Sequence, residues 1–226
     1  HALQVLRTVL WHAQKFYKII PSNPACEVQK IKRKEKNPMR AFSRIELKQL
    51  LAAMEGLGAG VYLLCLIAAT TGMRQGEILG LTWSDISFAN CTIRINKQWN
   101  RIAYRKKGFK ACKTKNSYRT IPASAQLLRA LRQWQKQPVS IDGRIFGLVP
   151  EKKLLAQIGN YIRVHYPGRS FHSFRHTFAT LLLQRTGDIN LVANVLGDTV
   201  GTVSSTYLDY TQDIRKQAAA SMENLI

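Results

Sequence analysis

Acidic residues are scarce in this 226-residue chain: 13 Asp and Glu stand against 34 Lys and Arg, a formal charge of +21 at pH 7. Solubility requires far less, so the imbalance implies a polyanionic partner, with nucleic acid ahead of an anionic membrane surface. Long apolar runs are lacking too. The longest, Val61 to Ala69, falls well short of the roughly 20 residues of a membrane span and reads as a buried helix, so no membrane partner is expected. Cysteine is sparse, and Cys26, Cys65, Cys91 and Cys112 show no CxxC spacing, which speaks against zinc or a redox pair and for a reduced, intracellular protein. No GxxxxGK[ST] phosphate loop occurs, so neither ATP nor another nucleotide is implied. The chain has no internal repeat. It opens at His1 rather than Met without a signal-peptide pattern, and reads as part of a longer protein.

What is present suffices for one main domain with a fragment of a second, since 46% of residues are hydrophobic. Leu3, Leu6, Leu10, Ala13 and Tyr17 recur at helical spacing until Pro21. Pro21-Ser22-Asn23-Pro24 and the basic run Lys30, Lys32, Arg33, Lys34, Lys36 follow. They read as a charged connector between two bodies, either a solvated linker or a strap on DNA phosphates. A new unit begins at Ser43, which forms a capping box with Glu46, ahead of Leu47, Leu50, Leu51 and Met54 on a buried face. Alternation at Thr92 to Asn96 and an extended stretch from Tyr118 to Ile121, ended by Pro122, predict a small antiparallel sheet over residues 91–122. Ala125 to Gln135 reads as helix. Beyond Ile158 the helical pattern breaks at Pro167-Gly168, Gly187-Asp188 and Gly197. The fold class expected is mainly α with a small antiparallel β-sheet, an α+β domain.

Three segments concentrate chemistry: Thr71 to Leu81 (TGMRQGEILGL), His172 to Thr180 (HSFRHTFAT), and Leu196-Gly197-Asp198 with Tyr207 nine residues later. A phosphodiester attacked by a hydroxyl gains charge on its non-bridging oxygens, which guanidinium groups meet bidentately, and Arg74 and Arg175 suit that task. The competing reading of Arg74 is a surface ion pair with Glu77. His172, Arg175 and His176 share one helical face, so His172 and Arg175 can converge on one phosphate. Histidines four apart can also bind zinc, but no Glu follows the first and no third ligand is apparent, so no metal site is expected. Eight basic residues lie between Arg101 and Arg119, a hairpin suited to phosphate contacts or simply to solvent. Either Tyr207 or Tyr210 alone would more often be a packing residue.

In this order the segments resemble the tyrosine recombinases, the phage integrase family. Its signature is an Arg in TGxRxxE, a Lys on a β-hairpin, an HxxRHTxAT helix, an LGH turn and a Tyr shortly after. The resemblance covers residues 40–226. It implies the family's DNA breaking-rejoining catalytic fold over 38–226, and makes residues 1–37 the end of a core-binding domain plus its basic linker. The match of Lys113 to Pro122 with the family's KTKxSxRTIP pattern selects Lys113 as the acid that protonates the departing 5′ oxygen, with Lys115 as runner-up. The resemblance makes Tyr207, 32 residues after Arg175, the nucleophile, with Tyr210 its competitor. Arg74, His172 and Arg175 then contact the scissile phosphate, Glu77 orients them, and His176 is structural. Lys32, Arg33, Lys34, Arg105, Lys106, Lys107, Lys110, Lys115 and Arg119 are expected along the DNA backbone.

The implied activity is a site-specific, metal-free and cofactor-free strand exchange through a 3′-phosphotyrosine, integrating or excising a mobile element or prophage. Its partners would be double-stranded DNA attachment sites, a homotetramer on synapsed DNA formed from free monomers, and accessory DNA-bending or directionality proteins. The setting would be the bacterial cytoplasm or nucleoid, or a phage-infected host cell. Ile214, Ala218, Met222 and Leu225 could form a helix docking on a neighbouring protomer or on its own domain. One departure stands out: Asp198 occupies the place of the family's His or Trp, and an ionised carboxylate cannot donate to phosphate. Three readings follow: slower cleavage, an Asp198 that points away while another donor serves, or an impaired member. Under the first, Asp198→His is expected to raise cleavage of a nicked substrate. The alternatives to a recombinase are a DNA-binding member with impaired catalysis and a type IB topoisomerase-like enzyme.

Overall fold

The computed structural model describes residues 2–28, 40–103, 106–112 and 114–206, without the side chains of 101–103. Lys32, Arg33, Lys34, Arg105, Lys113, Tyr207, Tyr210 and the stretch from Ile214 to Leu225 lie outside the described residues. The chain divides into two compact units, His1–Pro38 and Met39–Ile226.

In the first unit, helix α1 (Ala2–Lys15) stops ahead of Pro21. The segment after it folds back: Arg7 Nε donates to the Ala25 carbonyl at 2.8 Å and Nη2 to that of Val28 at 2.7 Å. Asn23 locks the return, donating to the Arg7 carbonyl at 3.0 Å and accepting the Ala25 N–H at 3.0 Å. The stretch that reads as connector is therefore pinned to its helix as far as Val28.

The second unit is mainly α. Its helix α2 (Arg44–Leu57) opens on a capping box in which the Ser43 N–H reaches Glu46 Oε2 at 2.7 Å and Ser43 Oγ accepts the Glu46 N–H at 3.2 Å. Helix α3 (Ala59–Thr71) is apolar on all sides, so only a central position suits it. It is packed by α2, α5 (Ala125–Gln135), α6 (Glu151–His165) and α7 (Ser173–Thr186). It stops at Gly72, in the left-handed region (φ 64°), where a Cβ would sit 2.5 Å from the Phe178 ring. A five-residue helix α4 (Gln75–Leu79) follows at once. A smaller apolar cluster, including Ala179, Leu183, Val192, Leu196 and Val203, joins α7 to α8 (Ile189–Leu196) and α9 (Val200–Thr206).

Among the described residues the strands form two sheets rather than the one that the sequence predicts. Strands β1 (Ile86–Ser87), β2 (Thr92–Ile95) and β5 (Arg119–Pro122) make an antiparallel sheet in the order β1-β2-β5, with Ile93 facing Ile121. Strands β3 (Lys97–Ala103) and β4 (Lys106–Ala111) form a separate antiparallel ribbon, with Trp99 opposite Phe109. Patterning explains the split, because Ile93, Ile95 and Ile121 can be buried together while the ribbon is mostly polar. The ribbon is fixed at its base. Gly80 meets it so closely that a Cβ would lie 2.8 Å from the Trp99 nitrogen, the Arg144 guanidinium stacks 3.5 Å over the Trp99 ring, and Lys97 is paired with the buried Asp85. Among the described residues no helix is long and apolar enough to cross a membrane.

Candidate active site

The end of α3 places Arg74. Gly72 terminates that helix, Met73 carries the chain through the turn, and Arg74 becomes the N-cap of α4 with extended backbone. Glu77, three residues on, accepts the Arg74 N–H at 2.9 Å and Arg74 Nη1 at 3.0 Å. The ion pair considered from the sequence thus exists, but it engages only one end of the guanidinium. Nη2 points away from Glu77 to Asp198 Oδ1, at 2.5 Å.

Arg175, in the first turn of α7, is almost fully buried. Its Nη1 donates to the Gly72 carbonyl at 2.9 Å and its Nη2 to the Leu196 carbonyl at 3.0 Å and to Asp198 Oδ2 at 2.5 Å. One side chain therefore ties the three sequence segments together at the carbonyls that two helix ends leave unsatisfied. Burial and the neighbouring Arg74 charge lower the Arg175 pKa, and Asp198 opposes them. The turn that presents Asp198 is equally constrained: Gly197 is left-handed (φ 67°), and a Cβ there would lie 2.7 Å from the Asn116 carbonyl oxygen. Asp198 does not point away from the site. Its carboxylate lies between the two arginines.

His172 is the N-cap of α7 and opens onto the same cleft as Arg74, Asp198, Thr199 and Thr202. Desolvation, reinforced by the Arg175 and Arg74 charges, lowers its pKa despite Asp198 nearby, so near neutral pH the ring is uncharged. His176, one turn on, packs edge-on against it with ring centroids 4.9 Å apart. Desolvation first, then His172 and Arg175, pushes the His176 pKa down to about 4. Among the described residues no group of three or more His, Cys, Asp or Glu is placed to hold a metal ion.

Among the described residues the basic hairpin divides into residues that face out and one that does not. Lys106, Lys110 and Lys115 are exposed; Lys107 is at the surface, where its Nζ reaches Glu151 Oε2 at 2.7 Å. Arg119, expected to face phosphate, is turned inward with its side chain 6% exposed. It holds Glu77 by a two-pronged pair (Nη1 to Oε1 3.2 Å, Nη2 to Oε2 3.0 Å), and its Nε donates to the Val195 carbonyl at 2.7 Å. The reason is Glu77 itself: a buried carboxylate costs too much unless cations and N–H groups meet both oxygens. Burial alone would raise the Glu77 pKa, but Arg119 and then Arg74 hold it below the usual carboxylate value. Arg119 thus braces Glu77, which braces Arg74. Sequence reading also passes over Thr199, Thr202, Asn116 and Gln98, polar residues lining the cleft, because single polar residues on turns form no pattern.

The arrangement offers an oxyanion two guanidinium donors from different elements, beside a neutral imidazole, on a strongly basic chain. Comparison with known proteins agrees. The model of the phage integrase family matches residues 40–213. A tyrosine recombinase XerC-like protein of Caldanaerobacter subterraneus subsp. tengcongensis is 30% identical over 234 residues, an alignment that covers 92% of this chain and 57% of that protein. The chain thus spans little more than half the length of that relative. Among solved structures, the Tn1549 transposon integrase in complex with a circular intermediate DNA superimposes with a TM-score of 0.76 at 19% identity, covering 100% of this chain and 78% of the other. The XerH site-specific recombinase bound to a palindromic difH substrate gives 0.58 at 25% identity, covering 80% and 53%.

Proposed function

Because the chain belongs to the phage integrase family, the tyrosine recombinases, we propose that it is the catalytic part of a site-specific recombinase that cuts and rejoins double-stranded DNA by transesterification. The observation that carries this reading is the meeting of Arg74 Nη2 and Arg175 Nη2 on a single carboxylate, each at 2.5 Å. Two guanidinium groups that already share one oxyanion can share the non-bridging oxygens of a phosphodiester, and donors fixed in advance favour the charge that develops there.

In the proposed reaction Arg74 and Arg175 hold the scissile phosphate, and Glu77 and Arg119 fix the Arg74 guanidinium. The Tyr207 hydroxyl attacks phosphorus and passes its proton to a nearby base, for which the neutral His172 is suited. A 3′-phosphotyrosine forms, the bond to the 5′ oxygen breaks, and Lys113 delivers the proton to that oxygen. The freed 5′ hydroxyl of a partner duplex then attacks the phosphotyrosine and releases Tyr207. The covalent link conserves the bond energy, so the cycle balances without a nucleotide. Lys106, Lys107, Lys110 and Lys115 lie along the DNA backbone, with Lys32, Arg33, Lys34 and Arg105 in the same role. The substrates are attachment sites of a mobile element or prophage, bound by four protomers on two synapsed duplexes with accessory DNA-bending or directionality proteins, in the bacterial cytoplasm or an infected host cell.

Asp198 favours a second reading, a DNA-binding member with impaired cleavage, since its negative charge stands where phosphate charge must grow. A nicked suicide duplex separates the two. The chain and Tyr210→Phe are expected to give a covalent protein–DNA band on a denaturing gel, and Tyr207→Phe none. Tight, salt-sensitive binding without a band from any version would favour the impaired member.

A further inference from the structure

Both arginines of the site already have an occupant. Asp198 Oδ1 accepts from Arg74 Nη2 and Oδ2 from Arg175 Nη2, each at 2.5 Å, while the Nη1 atoms are held by Glu77 and by the Gly72 carbonyl. The two donors that converge from different elements, Arg74 Nη2 and Arg175 Nη2, are thus both on Asp198. Among the described residues its carboxylate bonds to nothing else, and it is 21% exposed at the cleft, so rotating it outward breaks no further contact there. The backbone beneath it is firm: the Asp198 N–H is held by the Ala193 carbonyl at 3.1 Å, and Thr199 Oγ1 accepts the Thr202 N–H at 3.2 Å.

We propose that Asp198 is a specificity-determining residue of the phosphate site: an internal carboxylate that fills the arginine pair until an oxyanion with further contacts of its own displaces it. The proposal rests on the reading that Arg74 and Arg175 receive the scissile phosphate. Arg175 is buried, and an unpaired cation there would be costly, so a resident anion stabilises the DNA-free chain. A tethered carboxylate also presents an effective concentration that small anions in solution do not match. A phosphate on a bound duplex is held in place by many backbone contacts to the basic surface, so its exchange with Asp198 is likewise intramolecular. One negative charge replaces another, and neither arginine is left bare. The site therefore discriminates against free phosphate or sulfate and admits phosphate that is part of a bound polyanion.

Sulfate is the probe, read by thermal unfolding at fixed ionic strength with chloride as reference. Asp198→Asn is expected to melt below the unsubstituted chain in chloride and to bind sulfate at least tenfold more tightly, with its melting temperature climbing as sulfate is added. Arg74→Gln added to Asp198→Asn should abolish that response, which locates the sulfate on the arginine pair. Equal sulfate affinity with and without Asp198→Asn overturns the proposal, as does a response that survives Arg74→Gln. Because sulfate binding needs no cleavage, this result stands apart from the covalent trap: absence of an adduct from every version counts against the recombinase reading alone.

Discussion

Arg119→Ala separates a buried brace from a DNA contact. In the folded chain Arg119 and Glu77 are 6% and 4% exposed and share two hydrogen bonds of 3.2 and 3.0 Å. Arg119 also satisfies the Val195 carbonyl at 2.7 Å and the Ser117 carbonyl at 3.1 Å. Removing one partner of a buried pair costs about 3–5 kcal/mol. Arg74 still offers Glu77 its N–H at 2.9 Å and Nη1 at 3.0 Å, so the lower end applies. A loss of about 3 kcal/mol lowers the melting temperature by roughly 6–12 °C for a chain of this size. Urea unfolding followed by far-UV circular dichroism measures it. Arg119→Lys, which keeps the charge but not the planar fork, should lose at least half as much. If Arg119 instead contacted phosphate, Arg119→Ala would leave stability within about 0.5 kcal/mol and reduce the salt dependence of DNA binding by roughly one unit of slope. That pair of results would refute the reasoning.

Acid should weaken the fold in two steps. His176 titrates at about 4 in the folded chain against an ordinary 6.5, so the unfolded chain takes its proton first. Its contribution is complete above about pH 6.5 and declines as pH falls to about 4, by roughly 1–2 kcal/mol once water at its partly open ring is allowed for. Glu77, depressed from 4.5, adds a further loss as pH falls below that value through its folded pKa. Urea midpoints from pH 7.5 to 4 test the first step, and His176→Gln should reduce it, leaving the part that the likewise depressed His172 contributes; an unchanged slope would contradict the assignment. Gly197→Ala should cost more than about 1 kcal/mol, because the left-handed backbone and the 2.7 Å approach to the Asn116 carbonyl leave no room for a Cβ. Its cleavage rate should fall more than its DNA affinity, since the turn anchors Arg175 through the Leu196 carbonyl and is not part of the basic surface.

Elements that bury one face were legible from sequence. Ala125–Gln135 is a helix over the residues predicted, and the Ser43–Glu46 capping box forms as its residue types imply. The ribbon was not legible as a separate sheet, because its strands carry little apolar alternation and strand pairing is a tertiary choice. Helix α4 is too short to show a period. At the site, the spacing of Arg74, Glu77, His172 and Arg175 picks out residues that the fold brings together, the first three lining one cleft and the buried Arg175 meeting it through Asp198. Direction was beyond it: Arg119 is one of eight basic residues in its stretch, and the buried Glu77, with the Val195 and Ser117 carbonyls, turns it inward. Asp198 likewise stood out as a departure, while its place between two guanidinium groups depends on where α7 and the α8–α9 turn meet.

Mass spectrometry of the adduct trapped on a nicked duplex, after nuclease and trypsin digestion, tests the central claim most directly. Tyr207 and Tyr210 fall in one tryptic peptide, Thr186 to Arg215, so fragment ions must bracket each of them. The account predicts a 3′-linked nucleotide on Tyr207. A nucleotide on Tyr210 or on a serine, or a trapped chain whose peptide carries none, would contradict it.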